Sequence, residues 1–299
     1  MNKSAIPPER IERLLQQRCG AISDFHQLTE GLSSQAFGFR HNAAAYVVRI
    51  NRSIIGFEKD AYVSRKFGST GLPIPEVLDV DYIDDSHTFC ISRRAPGVRL
   101  YDLNNAGLQR IAGPTARIMK AIAVCNLAGT TGFGRFDPSG VGLHTSWRDF
   151  LTSITDLQRF DWEKAGRSAD MELVRKLFQL VANLSEYCPE ERRLIHGDFG
   201  SYNVLTNGRH ITAVIDWDLA LFGDPLYEWA NLFFWGEDRM DPVIQQLGSL
   251  TQLLRFQERL LCYQLRIGLQ EIYESAIGEN SSDLMWLTTR CMRIMGQTS

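Results

Sequence analysis

The stretch LIHGDFGSYNVLTNGRHITAVIDWD, residues 194–218, is the most informative part of the sequence. It places the polar side chains of Asp198, Asn203 and Asp216 between short apolar runs. Within it, VLTNGRHITAVIDW predicts two short strands joined at an Asn-Gly turn, a strong hairpin signal. Asn203 lies just before the first strand, and Asp216 lies at the end of the second. Asp198 lies on the loop that leads into this hairpin. We therefore expect the three side chains to converge at one edge of it.

The three converging groups have the chemistry of a phosphoryl-transfer site. Two carboxylates and an amide oxygen are hard ligands that suit Mg²⁺. A metal with a neighbouring spare carboxylate can neutralise phosphate charge while the carboxylate orients an attacking hydroxyl. The step from Asp198 to Asn203 is five residues, as in the H-R-D-x-x-x-x-N catalytic loop of protein kinases. We expect His196 to brace this loop through hydrogen bonds. Asn207 and Gly208 are interpreted as turn formers only.

The rest of the chain divides into two regions of different pattern. Residues 1–95 predict a small sheet with one inserted helix at 57–71, because β-branched and aromatic runs flank one segment of helical period. After Pro96-Gly97, apolar residues recur at spacings of three and four, which predicts a mostly helical region over 96–299. We therefore predict an α+β fold with a nucleotide-binding lobe (1–95), a catalytic and substrate-binding lobe (96–299), and a site in the cleft between them.

The small lobe should supply a phosphate-covering turn and a cation to a nucleotide. TEGLSSQAF at 29–37 places Gly31, Ser33 and Ser34 between two strands, where small residues let backbone N–H groups approach phosphate. The chain contains no GxxxxGK[ST] motif. Arg49, alone in the apolar strand YVVRIN, is the candidate cation, although a lone strand Arg is usually a surface residue. Its guanidinium offers a bidentate fork where kinases place a Lys.

Two further predictions concern the surroundings of this cation. Asp60, eleven residues after Arg49, is the expected carboxylate partner, and Glu58 is a competitor on a different face of the same helix. The segment FCISRRAPG at 89–97 should connect the lobes. We expect the backbone N–H and C=O groups of Ser92, Arg93 and Arg94 to meet the edge of a purine.

Composition excludes several classes of protein. The formal net charge is −3, which argues against a nucleic-acid partner. The six Cys are widely spaced, without a CxxC pair, and indicate reduced thiols in a cytosol. No run of 18 apolar residues indicates a membrane span, and residues 1–17 lack the apolar core of a secretory signal. We expect a cytoplasmic protein without a membrane partner, and a monomer by default.

Two segments together resemble one known family. IHGDFGSYNVL at 195–205 and VIDWDLALFGDPLYEWANL at 214–232 resemble the aminoglycoside phosphotransferases, which share the protein-kinase-like fold. That family usually has an Asp after its Gly-Asp-Pro; here the residue is Glu228. The resemblance implies an α+β, protein-kinase-like fold and an ATP-dependent small-molecule O-kinase. It also implies roles for specific residues: Asp198 as catalytic base, Asn203 and Asp216 as Mg²⁺ ligands, and Arg49 with Asp60 at the α/β-phosphates.

The acceptor side is less sharply defined. LPIPEVLD at 72–79, CISRRAPGV at 90–98 and YQLRIGLQEIYESAIGEN at 263–280 resemble the branch of the family that acts on hygromycin B. This implies an aminocyclitol antibiotic as acceptor and antibiotic resistance as the role. A cationic acceptor favours acidic walls, and a sugar ring favours an aromatic one. The candidates are Tyr202, Trp235, Glu237, Asp238, Glu271 and Glu274, although each alone is more often a solvated or packing residue.

Two other interpretations stay open. A kinase for another natural product or metabolite would use the same chemistry and differ only in its acceptor. A catalytically inactive nucleotide-binding module would bind the metal without phosphoryl transfer. The intact set of Asp198, Asn203 and Asp216 argues against such a module.

Overall fold

The computed structural model describes residues 6–28, 34–68, 71–248, 252–278 and 281–296, so Gly31 and Ser33 lie outside the described residues. The strands are β1 (Ser23–Gln27), β2 (Gln35–His41), β3 (Ala44–Asn51), β4 (Val77–Asp84), β5 (His87–Arg93), β6 (Val98–Arg99), β7 (Phe133–Phe136), β8 (Gly142–His144), β9 (Arg193–Ile195), β10 (Val204–Thr206), β11 (Ile211–Val214) and β12 (Leu221–Gly223). The helices are α1 (Pro8–Cys19), α2 (Ile55–Phe67), α3 (Asn105–Ala123), α4 (Trp147–Thr152), α5 (Trp162–Ala165), α6 (Met171–Leu184), α7 (Leu226–Trp235), α8 (Asp241–Gln246), α9 (Phe256–Ile277) and α10 (Ser281–Gly296).

The first five strands form one antiparallel sheet in the order β1-β2-β3-β5-β4. Side chains alternate across a strand, so every second residue of β2 and β3 lies on the same face. One face, with Phe37, Phe39, Val48 and Ile50, packs against Ile11 and Leu15 of α1. Arg49 therefore lies on the opposite face, toward α2.

Helices form most of the chain after β6. The central helix is α9, which is buried on most of its circumference because α6, α7 and α10 pack around it. A Cβ on Gly268 would lie 2.4 Å from the Cys291 sulfur, so α9 and α10 approach closely at this glycine. Two small sheets, β11-β10-β6 and β8-β7-β12-β9, support the loops that face the five-stranded sheet.

Gly97 occupies the connection between the sheet and the helical region. Its φ is +109°, a region that favours glycine, and a Cβ there would lie 2.0 Å from the Thr206 carbonyl oxygen. The Thr212 hydroxyl donates to the Pro96 carbonyl at 2.6 Å. The connection is therefore docked on the β10–β11 hairpin.

The predicted α+β arrangement of a small sheet with one helix and a larger helical region is confirmed. The predicted hairpin is present as β10 and β11, with residues 207–210 between them and Asn207 accepting from the N–H groups of Arg209 and His210. None of the described helices is long and apolar enough to cross a membrane. The division at residues 95 and 96 stays a prediction.

Candidate active site

The loop between β9 and β10 carries Asp198 and is braced by His196. The buried imidazole donates from Nε2 to the Ile215 carbonyl at 3.0 Å, and its Nδ1 accepts from the Asp198 N–H at 3.2 Å. Burial lowers the pKa of His196 to about 4, so the ring is neutral and can make both bonds. Gly197 has φ +82°, and a Cβ there would lie 2.4 Å from the Leu219 carbonyl oxygen, so this position needs glycine.

Glu228 of α7 holds the same loop through its backbone. Its buried carboxylate accepts from the N–H groups of His196 at 2.7 Å, Gly197 at 3.1 Å and Phe199 at 3.2 Å. Burial raises the pKa of Glu228 to about 7, and the three N–H donors oppose that shift. The sequence identified this residue only as a departure from Asp; the structure shows that it fixes the loop of Asp198.

Asn203 and Asp198 are joined by two hydrogen bonds from one amide group. The Nδ2 of Asn203 donates to the Asp198 carbonyl at 2.9 Å and to the Asp198 carboxylate at 2.7 Å. This orientation uses the amide nitrogen and leaves the amide oxygen as a ligand atom. Burial, with the charge of Asp216 second, raises the pKa of Asp198 to about 6.

Asp216 is brought to the same place by the hairpin. The Ile215 N–H donates to the Asn203 carbonyl at 2.9 Å, which ties the residue before Asp216 to Asn203. Asp216 has φ +66°, an uncommon conformation for a residue other than glycine. Asp216 is only partly buried; this burial raises the pKa of its carboxyl group, and Arg49 opposes the shift. The predicted convergence of Asp198, Asn203 and Asp216 is therefore present.

Arg49 and Asp60 form an ion pair across the face of the sheet. The guanidinium Nη2 donates to Asp60 Oδ2, and its Nη1 lies 4.0 Å from the Asp216 carboxylate. Asp60 is buried, and its other oxygen accepts from the Trp217 N–H at 2.8 Å. Glu58 is exposed, so Asp60 is the partner of Arg49, as predicted.

The connecting segment differs in part from its prediction. The Arg93 N–H donates to the Glu76 carbonyl at 2.8 Å, and the Arg94 N–H donates to the Ala45 carbonyl at 3.0 Å. These two N–H groups therefore cannot also donate to a purine, because sheet pairing already uses them; their carbonyl groups and Ser92 stay predictions. The Arg93 side chain donates to the Tyr46 hydroxyl at 3.1 Å, and the Arg94 guanidinium lies 3.2 Å from the His26 ring.

The four acidic candidates for the acceptor side differ in burial and in hydrogen bonding. Glu237 accepts from the Ser201 N–H at 3.1 Å and from the Ser201 hydroxyl, so it holds the loop of Asp198 rather than standing free. Asp238 is exposed, and Glu274 accepts from the Gln270 amide at 2.7 Å. Burial, then the charge of Glu274, raises the pKa of Glu271 to about 7, and the charge of Asp198 adds to that shift.

The two aromatic candidates each pack against a ring that the sequence analysis missed. Tyr202 stacks on Tyr101 with ring centres 4.1 Å apart, and Trp235 stacks on Trp286 at 5.5 Å. All four rings are partly exposed. Each partner is distant in sequence, so no local pattern could have identified it. A contact with a sugar stays a prediction for both candidates.

The chain belongs to the phosphotransferase enzyme family, whose pattern it matches over residues 24–258. This confirms the protein-kinase-like fold implied by the sequence and makes the protein a phosphotransferase. It is 41% identical to hygromycin-B 4-O-kinase of Escherichia coli over 305 residues, which cover 99% of this chain and 87% of that protein.

Solved structures agree with this assignment. A crystal structure of a thermostable mutant of aminoglycoside phosphotransferase APH(4)-Ia, in ternary complex with AMP-PNP and hygromycin B, has TM-score 0.89 and 42% identity. The match covers 97% of this chain and 99% of that one. The GDP complex of aminoglycoside 2'-phosphotransferase-IIIa, at 17% identity and TM-score 0.68 over 98% of this chain and 100% of that one, shares the fold.

Proposed function

We propose that this protein is an ATP-dependent O-kinase that transfers the γ-phosphoryl group to a hydroxyl of hygromycin B. The convergence of Asp198, Asn203 and Asp216 opposite the Arg49–Asp60 pair is the observation that supports phosphoryl transfer most directly. Identity of 41% with hygromycin-B 4-O-kinase over nearly the whole chain supports this acceptor.

Asp198 is the base in this proposal. It accepts the proton of the acceptor hydroxyl while the hydroxyl oxygen bonds to the γ-phosphorus and the bond to the ADP oxygen breaks. Its pKa of about 6 leaves it mostly ionised near neutral pH, yet close enough to neutrality for efficient proton transfer. The bond from Asn203 orients the carboxylate.

Asn203 and Asp216 have donor chemistry that fits Mg²⁺. One amide oxygen and one partly exposed carboxylate are hard ligands, and Mg²⁺ commonly takes its other ligands from water and phosphate. The raised pKa values of Asp198 and Asp216 indicate a site where a nearby cation would stabilise both ionised groups. When bound, Mg²⁺ neutralises charge on the transferred phosphate. Within the described residues, no three His, Cys, Asp or Glu side chains group together as a metal site.

The nucleotide would lie between the sheet and this loop. Arg49, held by Asp60, would bind the α/β-phosphates. Gly31, Ser33 and Ser34, for which the sequence predicts a phosphate-covering turn, would cover them. The backbone carbonyl groups of Ser92, Arg93 and Arg94 would accept hydrogen bonds from the edge of the purine. The AMP-PNP bound to APH(4)-Ia supports ATP as donor.

Mass spectrometry of acceptors incubated with purified protein and Mg-ATP tests this proposal. The panel contains hygromycin B, other aminocyclitols and a cell metabolite extract. One added phosphoryl group on hygromycin B is the expected result. Phosphorylation of another compound, with hygromycin B untouched, would contradict the acceptor. No phosphorylation, with ATP bound, would favour an inactive nucleotide-binding module.

One observation favours a different natural product as a second candidate acceptor. The Arg99 guanidinium lies 5.9 Å from the Tyr101 ring centre and 5.6 Å from that of Tyr202, and Arg239 lies 4.9 Å from Tyr101. Two guanidinium groups beside the loop of Asp198 disfavour binding of an ammonium group at the surface formed by Tyr101 and Tyr202, although Asp102 pairs with Arg99. A less cationic acceptor fits this surface better. The same panel of acceptors distinguishes hygromycin B from another natural product.

We further propose that the protein acts as a cytoplasmic monomer that gives resistance to hygromycin B, with its lobes meeting at residues 95 and 96. Light scattering on the pure protein tests the monomer. Growth of expressing cells on hygromycin B tests resistance, with an Asp198→Asn strain as control. Equal sensitivity of both strains would contradict the resistance role.

A further inference from the structure

Lys59 is a buried cation on α2 that the proposed reaction does not use directly. It is 3% exposed, and its ammonium donates to the carbonyl oxygens of Asp218 at 2.7 Å and Ala220 at 2.6 Å. The ammonium also lies 4.4 Å from the ring centre of Phe136. Burial of the ammonium is costly and lowers the pKa of Lys59 to about 7, while the two carbonyls and the ring stabilise the charged form. All three partners belong to the region after Pro96, so this side chain joins the two lobes.

The segment that Lys59 holds follows the proposed metal ligand directly. Asp216 has φ +66°, and such a conformation persists only where the surrounding contacts hold it. On the α2 side, Asp60 accepts from the Trp217 N–H at 2.8 Å, and Lys59 donates to the carbonyls of Asp218 and Ala220. Two adjacent residues of α2 therefore fix the backbone of residues 217–220.

The other side of this segment is equally constrained. His196 donates to the Ile215 carbonyl, and Gly197 lies close to the Leu219 carbonyl. On the α2 side, a Cβ on Gly56 would lie 3.0 Å from the Asp218 carboxyl carbon, so the helix lies directly against the segment. Residues 215–220 are thus held between the loop of Asp198 and α2.

We propose that Lys59 is a positioning residue that sets Asp216 for the metal by fixing the backbone of residues 217–220 to α2. The inference rests on the proposed metal role of Asp216. Removing the ammonium leaves the buried Ala220 carbonyl and the partly buried Asp218 carbonyl without their donor, and the segment then relaxes away from α2. The carboxylate of Asp216 is then no longer held in a fixed position, so metal-dependent nucleotide binding weakens.

The test is calorimetric binding of AMP-PNP to the full-length protein, with Mg²⁺ and separately with EDTA. Lys59→Met keeps an unbranched apolar side chain and removes the ammonium that contacts the two carbonyls and Phe136. We expect its affinity for Mg-AMP-PNP to fall by on the order of tenfold, the loss typical of hydrogen bonds to a charged group. Metal-free affinity should change by less than about twofold, because the Arg49–Asp60 pair is retained.

Lys66→Met is the matched control. Lys66 lies on the same helix and donates to the Ala128 carbonyl at 2.5 Å, also across the lobes, but far along the chain from Asp216. We expect wild-type affinity with and without Mg²⁺. Lys59→Arg, which keeps a charged donor, should recover part of the lost Mg-dependent affinity.

Three outcomes would overturn the inference. Equal losses with Mg²⁺ and with EDTA would show a general structural role, as would an equal effect of Lys66→Met. Unchanged affinity in Lys59→Met would exclude the positioning role. If Lys59→Met does not fold, the same comparison is made with Lys59→Arg, where a selective loss with Mg²⁺ supports the inference and an equal loss contradicts it.

The wild-type measurement separates this inference from the proposed function. If wild-type protein binds AMP-PNP equally with and without Mg²⁺, the metal role of Asp216 fails and the inference fails with it. The acceptor is decided independently, by mass spectrometry. Phosphorylation of hygromycin B with no selective effect in Lys59→Met would retain the function and reject the positioning role.

Discussion

Asp198 and His196 lie two residues apart and have opposite pKa shifts for the same physical reason. Burial disfavours the charged form of any group, so it raises the pKa of the acid to about 6 and lowers that of the imidazole to about 4. The result is a carboxylate close to the range useful for proton transfer, held by a ring that stays neutral. In the proposed reaction, Asp198 therefore accepts the proton, while His196 holds the loop in place.

The Asp198→Asn variant tests the base. The amide cannot accept the proton, so we expect turnover to fall by about 10²–10⁴-fold. AMP-PNP affinity should stay within about twofold, because Arg49 and Asp216 are unchanged. Steady-state kinetics and calorimetry measure the two quantities. Turnover near the wild-type rate would contradict the base assignment, provided that thermal unfolding shows a folded variant.

The buried neutral His196 should make folding stability depend on pH. Its pKa is lowered from 6.5 to about 4, so between these values the unfolded chain binds a proton that the folded protein does not. The free energy of unfolding should therefore fall as pH decreases through this window, by up to about 3 kcal/mol from this group. Urea titrations at several pH values measure the slope. His196→Asn should have a shallower slope; an unchanged slope would contradict this origin.

At the scale of elements, α7 connects the loop of Asp198 to the core of the helical lobe. Glu228 holds the loop from the first turn of the helix, and Asp224 anchors the start of the same helix to α9. Asp224 is 1% exposed and accepts from Arg259 at 2.6 and 3.0 Å and from the Tyr263 hydroxyl at 2.5 Å. Glu228 therefore fixes the loop of Asp198 to α7, and Asp224 fixes the start of α7 to α9.

The Asp224→Asn variant should be strongly destabilised, because it leaves the Arg259 guanidinium buried without its counter-charge. Removing one partner of a buried pair costs about 3–5 kcal/mol. Glu172→Gln is the matched control, since the Glu172–Lys176 pair is exposed on α6 and should be worth less than about 1 kcal/mol. Urea unfolding compares the two variants. Similar losses in both would contradict the importance of the buried pair.

At the scale of the molecule, the two lobes are joined at residues 217–220, directly after the proposed metal ligand Asp216. Asp60 and Lys59 extend from α2 to residues 217–220, while Pro96 and Gly97 dock on the β10–β11 hairpin. Nucleotide and metal should therefore stabilise the whole fold rather than one lobe.

Mg-AMP-PNP should raise the thermal unfolding temperature of the intact protein. A ligand that binds only the folded state at 100 times its Kd adds about 2.7 kcal/mol of stability. Asp216→Ala should lose the part of this gain that requires Mg²⁺, while AMP-PNP with EDTA should act equally on both proteins. Calorimetric scans measure the shift. A full Mg²⁺-dependent gain in Asp216→Ala would contradict its metal role.

The sequence alone was enough to predict the class of fold and the convergence of the three candidate site residues. Asp198, Asn203 and Asp216 are close in sequence and joined by one hairpin, so local turn chemistry was enough to predict their convergence. Helical and strand periods predicted the sheet, α2 and the helical lobe. Arg49 and Asp60 could be paired because a strand and the next helix connect them.

Only the tertiary structure decided which groups support that set. Nothing in the sequence indicated a role for Lys59, and the sequence predicted an acidic wall at Glu237 and free N–H donors at Arg93 and Arg94. Each of these groups is engaged by partners that the sequence does not place beside it. The Tyr101–Tyr202 and Trp235–Trp286 stacks likewise join residues far apart in the chain. Such contacts depend on how separate elements pack, because burial and hydrogen bonding are satisfied across the whole fold, whereas local patterns report only on near neighbours.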